Sequence, residues 1–154
     1  MMNFSVPNRP LARYFAALLT VGAASVVHAQ VTDDGAWARA TVPNQSATGA
    51  FMRLTARKEV VLTAASSPVA GIVEVHEMSM DKGIMRMRAA NRVPLKAGQT
   101  IELKSGGLHI MMLDLKKQIK VGDSVPLTLS FTGADGSVST VEVKATAGFA
   151  PPTR

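Results

Sequence analysis

Cysteine is absent from all 154 residues, and this absence removes several classes of site. Without thiols the chain forms no disulfides, although export would permit them. A blue-copper electron-transfer centre is also disfavoured, because its trigonal ligand set includes a cysteine. Since no cysteine follows the N-terminal apolar run, we expect no lipid anchor on this chain.

Aromatic residues and excess positive charge are also scarce. After residue 29 the aromatic residues are Trp37, Phe51, Phe131 and Phe149, and none alternates with a basic run as a base-stacking surface requires. Residues 30–154 carry 15 Lys or Arg against 11 Asp or Glu, a net charge of +4. We therefore expect no nucleic-acid partner.

The first 29 residues have the pattern of an export signal. Arg9 and Arg13 precede an apolar run at residues 14–27 that is too short for a comfortable membrane span. A small-x-small pattern follows at residues 27–29. The sequence predicts a signal peptide over residues 1–29, cleaved after Ala29, and a periplasmic protein free of the membrane thereafter. An uncleaved membrane anchor is the alternative.

The remainder predicts a single all-β domain at residues 30–148, with a short flexible tail at 149–154. Short β-branched and apolar runs are separated by turn residues, which is typical of a Greek-key sandwich or barrel. The predicted strands are Ala36–Thr41, Ala50–Ala56, Val60–Ala65, Ile72–Met80, Ile84–Ala89, Thr100–Lys104, Leu108–Leu115, Val125–Phe131 and Val138–Ala145.

Methionine and histidine are concentrated in one part of the chain. Six of the nine methionines and two of the three histidines lie between residues 76 and 112. Thioether sulfur beside imidazole, without thiolate, is the ligand set typical of a Cu(I) site. The competing interpretation is ordinary core packing, which we expect for Met52, Met80 and Met112.

Strand periodicity places these side chains on common faces. Alternation puts His76 with Met78, Met85 with Met87, and His109 with Met111. A hairpin turn at Asp81-Lys82-Gly83 would bring the first two faces side by side. The sequence therefore predicts three strands that present imidazole and thioether groups to a common point.

The same positions carry a resemblance to a known family. The spacing is His76, ten residues, Met87, twenty-one residues, His109, one residue and Met111. This is similar to the H-x10-M-x21-H-x-M signature of the PCu(A)C periplasmic copper chaperones. The likeness extends over most of residues 30–154, through the blocks at 36–54, 73–89, 93–113 and 115–131.

The resemblance implies a cupredoxin-like fold and one Cu(I) per chain, bound by His76, Met87, His109 and Met111. Met78 and Met85 are auxiliary candidates on the same faces. The family implies a copper carrier that delivers the metal to an oxidase subunit or a Sco-type protein, for assembly of a haem-copper oxidase, and we expect the chain to be a monomer. This sequence ends FAPPTR and does not show the His- and Met-rich tail of some family members, so we expect no second copper site there.

One alternative function remains open from the sequence. A small secreted β-sandwich could be a binding or interaction module, with its methionines only packing and with no role in metal transfer. Catalysis is not expected, because no nucleophile, general base or oxyanion device is evident. We expect Trp37 to pack in the core or at an edge.

Overall fold

The computed structural model describes residues 30–152 of the chain, so the predicted signal peptide lies outside the described residues. The ten strands are β1 Val31–Arg39, β2 Ala47–Ala56, β3 Val60–Ser66, β4 Ala70–Asp81, β5 Ile84–Ala89, β6 Val93–Leu95, β7 Thr100–Leu103, β8 Leu108–Leu115, β9 Ser124–Gly133 and β10 Val138–Gly148. The predicted all-β class is confirmed. Within the described residues no helix is long and apolar enough to cross a membrane.

The strands form one hydrogen-bonded sheet in the order β5-β4-β8-β2-β1-β10-β9-β3-β6, and β7 also pairs with β2. Neighbours are antiparallel except β1 and β10, which run parallel. Val75 of β4 and Ile110 of β8 are neighbours near one end of this order, yet they belong to one buried cluster with Phe131 of β9, which lies near the other end. The sheet is therefore folded over itself as a sandwich around a single core.

Alternation along the strands explains which side chains enter that core. On β9 every second residue from Val125 to Phe131 is buried, and on β8 Ile110 and Met112 are fully buried. Residues between them face outward or lie near the surface. Because the period is two, the opposite face of β8 is left to His109 and Met111.

The structure adds one strand that the sequence interpretation missed. Val93–Leu95 forms β6, in the stretch between the predicted strands Ile84–Ala89 and Thr100–Lys104 where no strand was predicted. β6 lies at the end of the strand order and pairs only with β3. Proline is tolerated there because an edge strand leaves one row of N–H positions unbonded.

The hairpin of β4 and β5 is closed by the predicted turn. Asp81 and Ile84 are opposite each other, so Lys82 and Gly83 form a two-residue loop. Both have positive φ, 49° for Lys82 and 81° for Gly83. This is the backbone of a type I′ turn, whose twist matches that of the strands it joins. The turn fixes the register of the methionines on the two strands.

Candidate metal centre

The register of β4, β5 and β8 brings the predicted ligands together. His76 is directly opposite His109, and Met78 is directly opposite Met87. Met111 follows His109 by two residues and shares its face. Three strands therefore present two imidazoles and several thioethers on the outer face of the sheet, as predicted.

The two imidazole rings lie at a separation that one metal ion can bridge. Their centroids are 6.0 Å apart and the planes are inclined at 67°. A ring nitrogen lies about 2 Å from a bound transition metal such as zinc, which puts the ring centroid roughly 3 Å from the ion. Two rings that bind one ion thus have centroids within about 6 Å, and the observed pair is at that limit.

The backbone carbonyl of Gly107 sets the tautomer of His109. The side chain is only 6% exposed. Its Nδ1 lies 3.0 Å from the carbonyl oxygen of Gly107. A carbonyl only accepts, so Nδ1 carries the proton and donates it. Nε2 of the neutral ring is then left with its lone pair, and it makes no hydrogen bond within residues 30–152.

His76 is held by a carboxylate on its own strand. Its Nε2 lies 2.8 Å from Oε2 of Glu74, two residues earlier and on the same face. The ionised carboxylate accepts, so the ring donates through Nε2. Nδ1 is buried and has no hydrogen-bond partner among the described residues. A buried polar atom without a partner is uncommon, and binding of an ion is one of the roles that explain it.

Both histidines therefore have the arrangement found around protein-bound metals. A metal-ligating histidine donates its other ring N–H to a carboxylate or a backbone carbonyl, which fixes the tautomer and the ring orientation. Glu74 performs this role for His76, and Gly107 performs it for His109. The residues present fit a metal bound through Nδ1 of the first ring and Nε2 of the second.

A shallow cavity of about 260 Å³ marks the centre. Met87, His109 and Met111, three of the four predicted ligands, line it together with the auxiliary candidate Met78. His76 is not part of the lining and lies beside it, against His109. Met85, the other auxiliary candidate, does not line it either, because it is opposite Met80, one register step farther along the hairpin.

The methionines differ sharply in exposure. Met52 and Met112 are buried in the core, as predicted. The core prediction for Met80 is wrong, since its side chain is 65% exposed. Its position explains the error: β8 begins opposite Glu77, so the end of β4 is flanked by β5 alone and nothing packs over it. Met87 is 50% exposed on that edge strand, which gives solvent access to the centre.

The side of the cavity that is formed by Phe51 and Arg39 was not predicted. Phe51 on β2 lies 6.4 Å from the ring of His109 between centroids, and it stacks on buried Trp37 at 4.7 Å. The guanidinium of Arg39 lies 5.8 Å from the Phe51 centroid. Packing of Trp37 had been expected, but no sequence signal connects these side chains to the histidines. The link depends on long-range pairing of β1, β2 and β8.

The donor set is soft and mostly neutral. Within the part of the chain that the structure describes, no three His, Asp or Glu side chains cluster as a metal site, and cysteine is absent from the sequence. The centre instead combines two imidazoles with thioethers. Such donors select Cu(I) over hard cations such as Mg²⁺ or Ca²⁺, which prefer carboxylate and carbonyl oxygen.

Comparison with known structures confirms the predicted fold. The apo PCuAC domain of PmoF1 superposes with a TM-score of 0.59 at 20% identity, over 77% of this chain and 95% of that domain. The solution structure of CuI-DR1885 from Deinococcus radiodurans has a TM-score of 0.53 at 29% identity, over 73% of this chain and 74% of that one. The resemblance to PCu(A)C and the cupredoxin-like sandwich are both confirmed.

Sequence comparison assigns the family. "Putative lipoprotein Lxx21020" of Leifsonia xyli subsp. xyli is 32% identical over 111 residues, covering 70% of this chain. This chain spans under two thirds of the length of the curated relatives that it matches. A family model described as "Putative lipoprotein LpqE-like" matches residues 31–145. On this match, the chain belongs to the LpqE-like family, which is related to PCu(A)C.

Proposed function

We propose that this protein is an exported Cu(I)-binding metallochaperone. One Cu(I) per chain is bound by His76, Met87, His109 and Met111, and is then delivered to a partner that assembles the copper site of a haem-copper oxidase. The observation that carries the proposal is the pair of histidines, each with one ring nitrogen held by an acceptor and the other left free for a metal.

The ligand chemistry favours the reduced ion. Thioethers bind Cu(I) well and Cu(II) poorly. None of the four ligands is a thiol, which would have to lose a proton before it binds the metal. Because the four ligands are neutral, the bound centre keeps a charge of +1. The centre is partly desolvated by Phe51 and buried His109, yet Met87 remains half exposed.

The difference in exposure between the Met87 and His109 side chains supports delivery by ligand exchange. His109 is fixed in the sheet, whereas Met87 lies on the edge strand β5. A docked acceptor can displace the exposed thioether first and then the less exposed imidazoles. An acceptor with thiolates, such as a Sco-type protein or an oxidase subunit, would hold Cu(I) more tightly and draw it away.

Known relatives support the proposal. The related Deinococcus radiodurans protein of known structure is a Cu(I) form, as its name states. The family name refers to lipoproteins, which agrees with export. We place the protein in the periplasm on the basis of its N-terminal signal pattern. No catalytic role is proposed.

The test is anaerobic titration of the purified protein with Cu(I) against a chromogenic competitor. We expect a tight equivalent that is weakened in His109→Ala and in Met87→Ala. Met112→Leu is the matched control, because it changes a buried sulfur on the strand of His109 but on the opposite face. Binding that is indifferent to the first two substitutions would favour the interaction module instead.

A further inference from the structure

The hairpin of β4 and β5 carries more thioethers than the copper centre uses. Its register opposes Met78 to Met87 and, one step farther, Met80 to Met85. Directly opposite residues of an antiparallel pair share a face, with Cβ atoms about 4.5–5.5 Å apart. Four methionine side chains therefore form two adjacent rungs on the face that also carries His76.

The outer rung is not part of the core. Met80 is 65% exposed and Met85 is 47% exposed, so neither fills a gap in the packing. Both sulfurs lie on the end of the hairpin that extends past β8, where β4 is flanked by β5 alone. Flexible thioether side chains in this position can turn toward each other without disturbing a neighbour.

The outer rung is also distinct from the copper centre. The cavity of the centre is lined by Met78 and Met87 but by neither Met80 nor Met85. Residues two apart on a strand are about 6.8 Å apart along its axis. A single ion cannot be bound at both rungs at once, yet the side chain of Met78 can reach toward either.

We propose that Met80 and Met85, with Met78 as a third ligand, form a second site for a soft monovalent cation, Cu(I) or its analogue Ag(I). The site is weaker than the first because it lacks imidazole and is open to solvent. It serves as a loading point: the ion arrives on the outer rung and passes inward as Met87 and then the histidines replace Met80 and Met85. The ion stays at charge +1 throughout, and only ligands exchange. This role rests on the proposed copper carriage.

The hairpin chemistry favours a metal over an apolar docking surface. Ile84 is also exposed, but it pairs with Asp81 and lies on the opposite face, where Arg86 and Arg88 follow it. The histidine face of the hairpin thus presents only sulfur-bearing side chains between residues 78 and 87. An interaction patch would not need sulfur at each of these positions.

The test is a titration of the purified protein with Ag(I), followed through the methyl signals of ¹³C-labelled methionine. We expect the methyl groups of Met87 and Met111 to shift with the first equivalent, and those of Met80 and Met85 with the second. The double variant Met80→Leu/Met85→Leu keeps the apolar surface and removes both sulfurs. It should bind one equivalent instead of two.

Two controls separate this proposal from the first. Met52→Leu removes a buried sulfur from the core and should leave both equivalents intact. His109→Ala should weaken the first equivalent while Met80 and Met85 still respond, so failure of the copper centre and failure of the outer rung give different spectra. A single equivalent in the unaltered protein, or a second one that survives the double substitution, would overturn the proposal.

Discussion

Substitution of Glu74 tests whether the carboxylate positions His76 for metal. Glu74 accepts a hydrogen bond of 2.8 Å from Nε2 of His76 and leaves Nδ1 unprotonated, with its lone pair free for the metal. Glu74→Ala removes the acceptor, so the ring can rotate and the proton can move to Nδ1. Glu74→Gln keeps an acceptor oxygen but loses the negative charge. The two variants thus separate orientation from charge.

The size of the effect follows from the contact. Loss of an outer partner of a metal-binding histidine costs about 10- to 100-fold in metal affinity. Tenfold corresponds to about 1.4 kcal/mol. Because the Glu74 side chain is 45% exposed, solvent screens its charge, and we expect Glu74→Ala to lie near tenfold. Glu74→Gln should lose less, since a neutral hydrogen bond is about half as strong as a charge-assisted one.

The assay is the Cu(I) competition titration, with the fold checked by circular dichroism. Glu77→Ala is the matched control: Glu77 is exposed on the same strand, lies opposite Arg88 in the strand register and faces away from His76. It should change affinity by less than about twofold, as surface substitutions do. Equal losses in Glu74→Ala and Glu77→Ala, or no loss in either, would refute the positioning role.

Two further predictions concern packing around the centre. A Cβ at Gly49 would lie 2.9 Å from Cζ of Phe51, so Gly49→Ala should lower the free energy of unfolding, measured in urea, by about 1–3 kcal/mol. Gly107→Ala should lower it less, because the nearest atom to its Cβ is in the flexible side chain of Lys104, at 3.6 Å. A larger loss in Gly107→Ala than in Gly49→Ala would contradict this prediction. Met112→Ala should lower the free energy of unfolding by about 2–5 kcal/mol because the residue is fully buried, whereas half-exposed Met87→Ala should change it little but weaken Cu(I) binding. Similar unfolding curves for these two variants would contradict that division.

Local rules were sufficient to predict the ligand-bearing strands. The two-residue turn at Lys82-Gly83 fixes which residues of β4 and β5 are opposite each other. Alternation then assigns each side chain to a face without any knowledge of the rest of the fold. Alternation does not, however, predict that His76 and His109 are directly opposite each other, because that pairing depends on the long-range register of β4 and β8.

Other features depended on where strands end and what lies across the sheet. Met80 was predicted to be buried, but the sequence does not show that β8 stops opposite Glu77. The strand that contains Pro94 was not predicted, because its position at the edge of the sheet follows only from the complete strand order. Glu74 and His76 share a face by alternation, so their hydrogen bond could have been anticipated, but Glu74 was not among the residues singled out from the sequence.

X-ray absorption at the copper K edge of the protein loaded with one Cu(I) tests the central claim most directly. The account predicts a Cu(I) edge, two imidazole nitrogens and two thioether sulfurs around the metal. His76→Ala and His109→Ala should each remove one imidazole contribution while sulfur scattering remains. A first shell without sulfur, or one that is unchanged in both histidine variants, would contradict the assignment of copper to this centre.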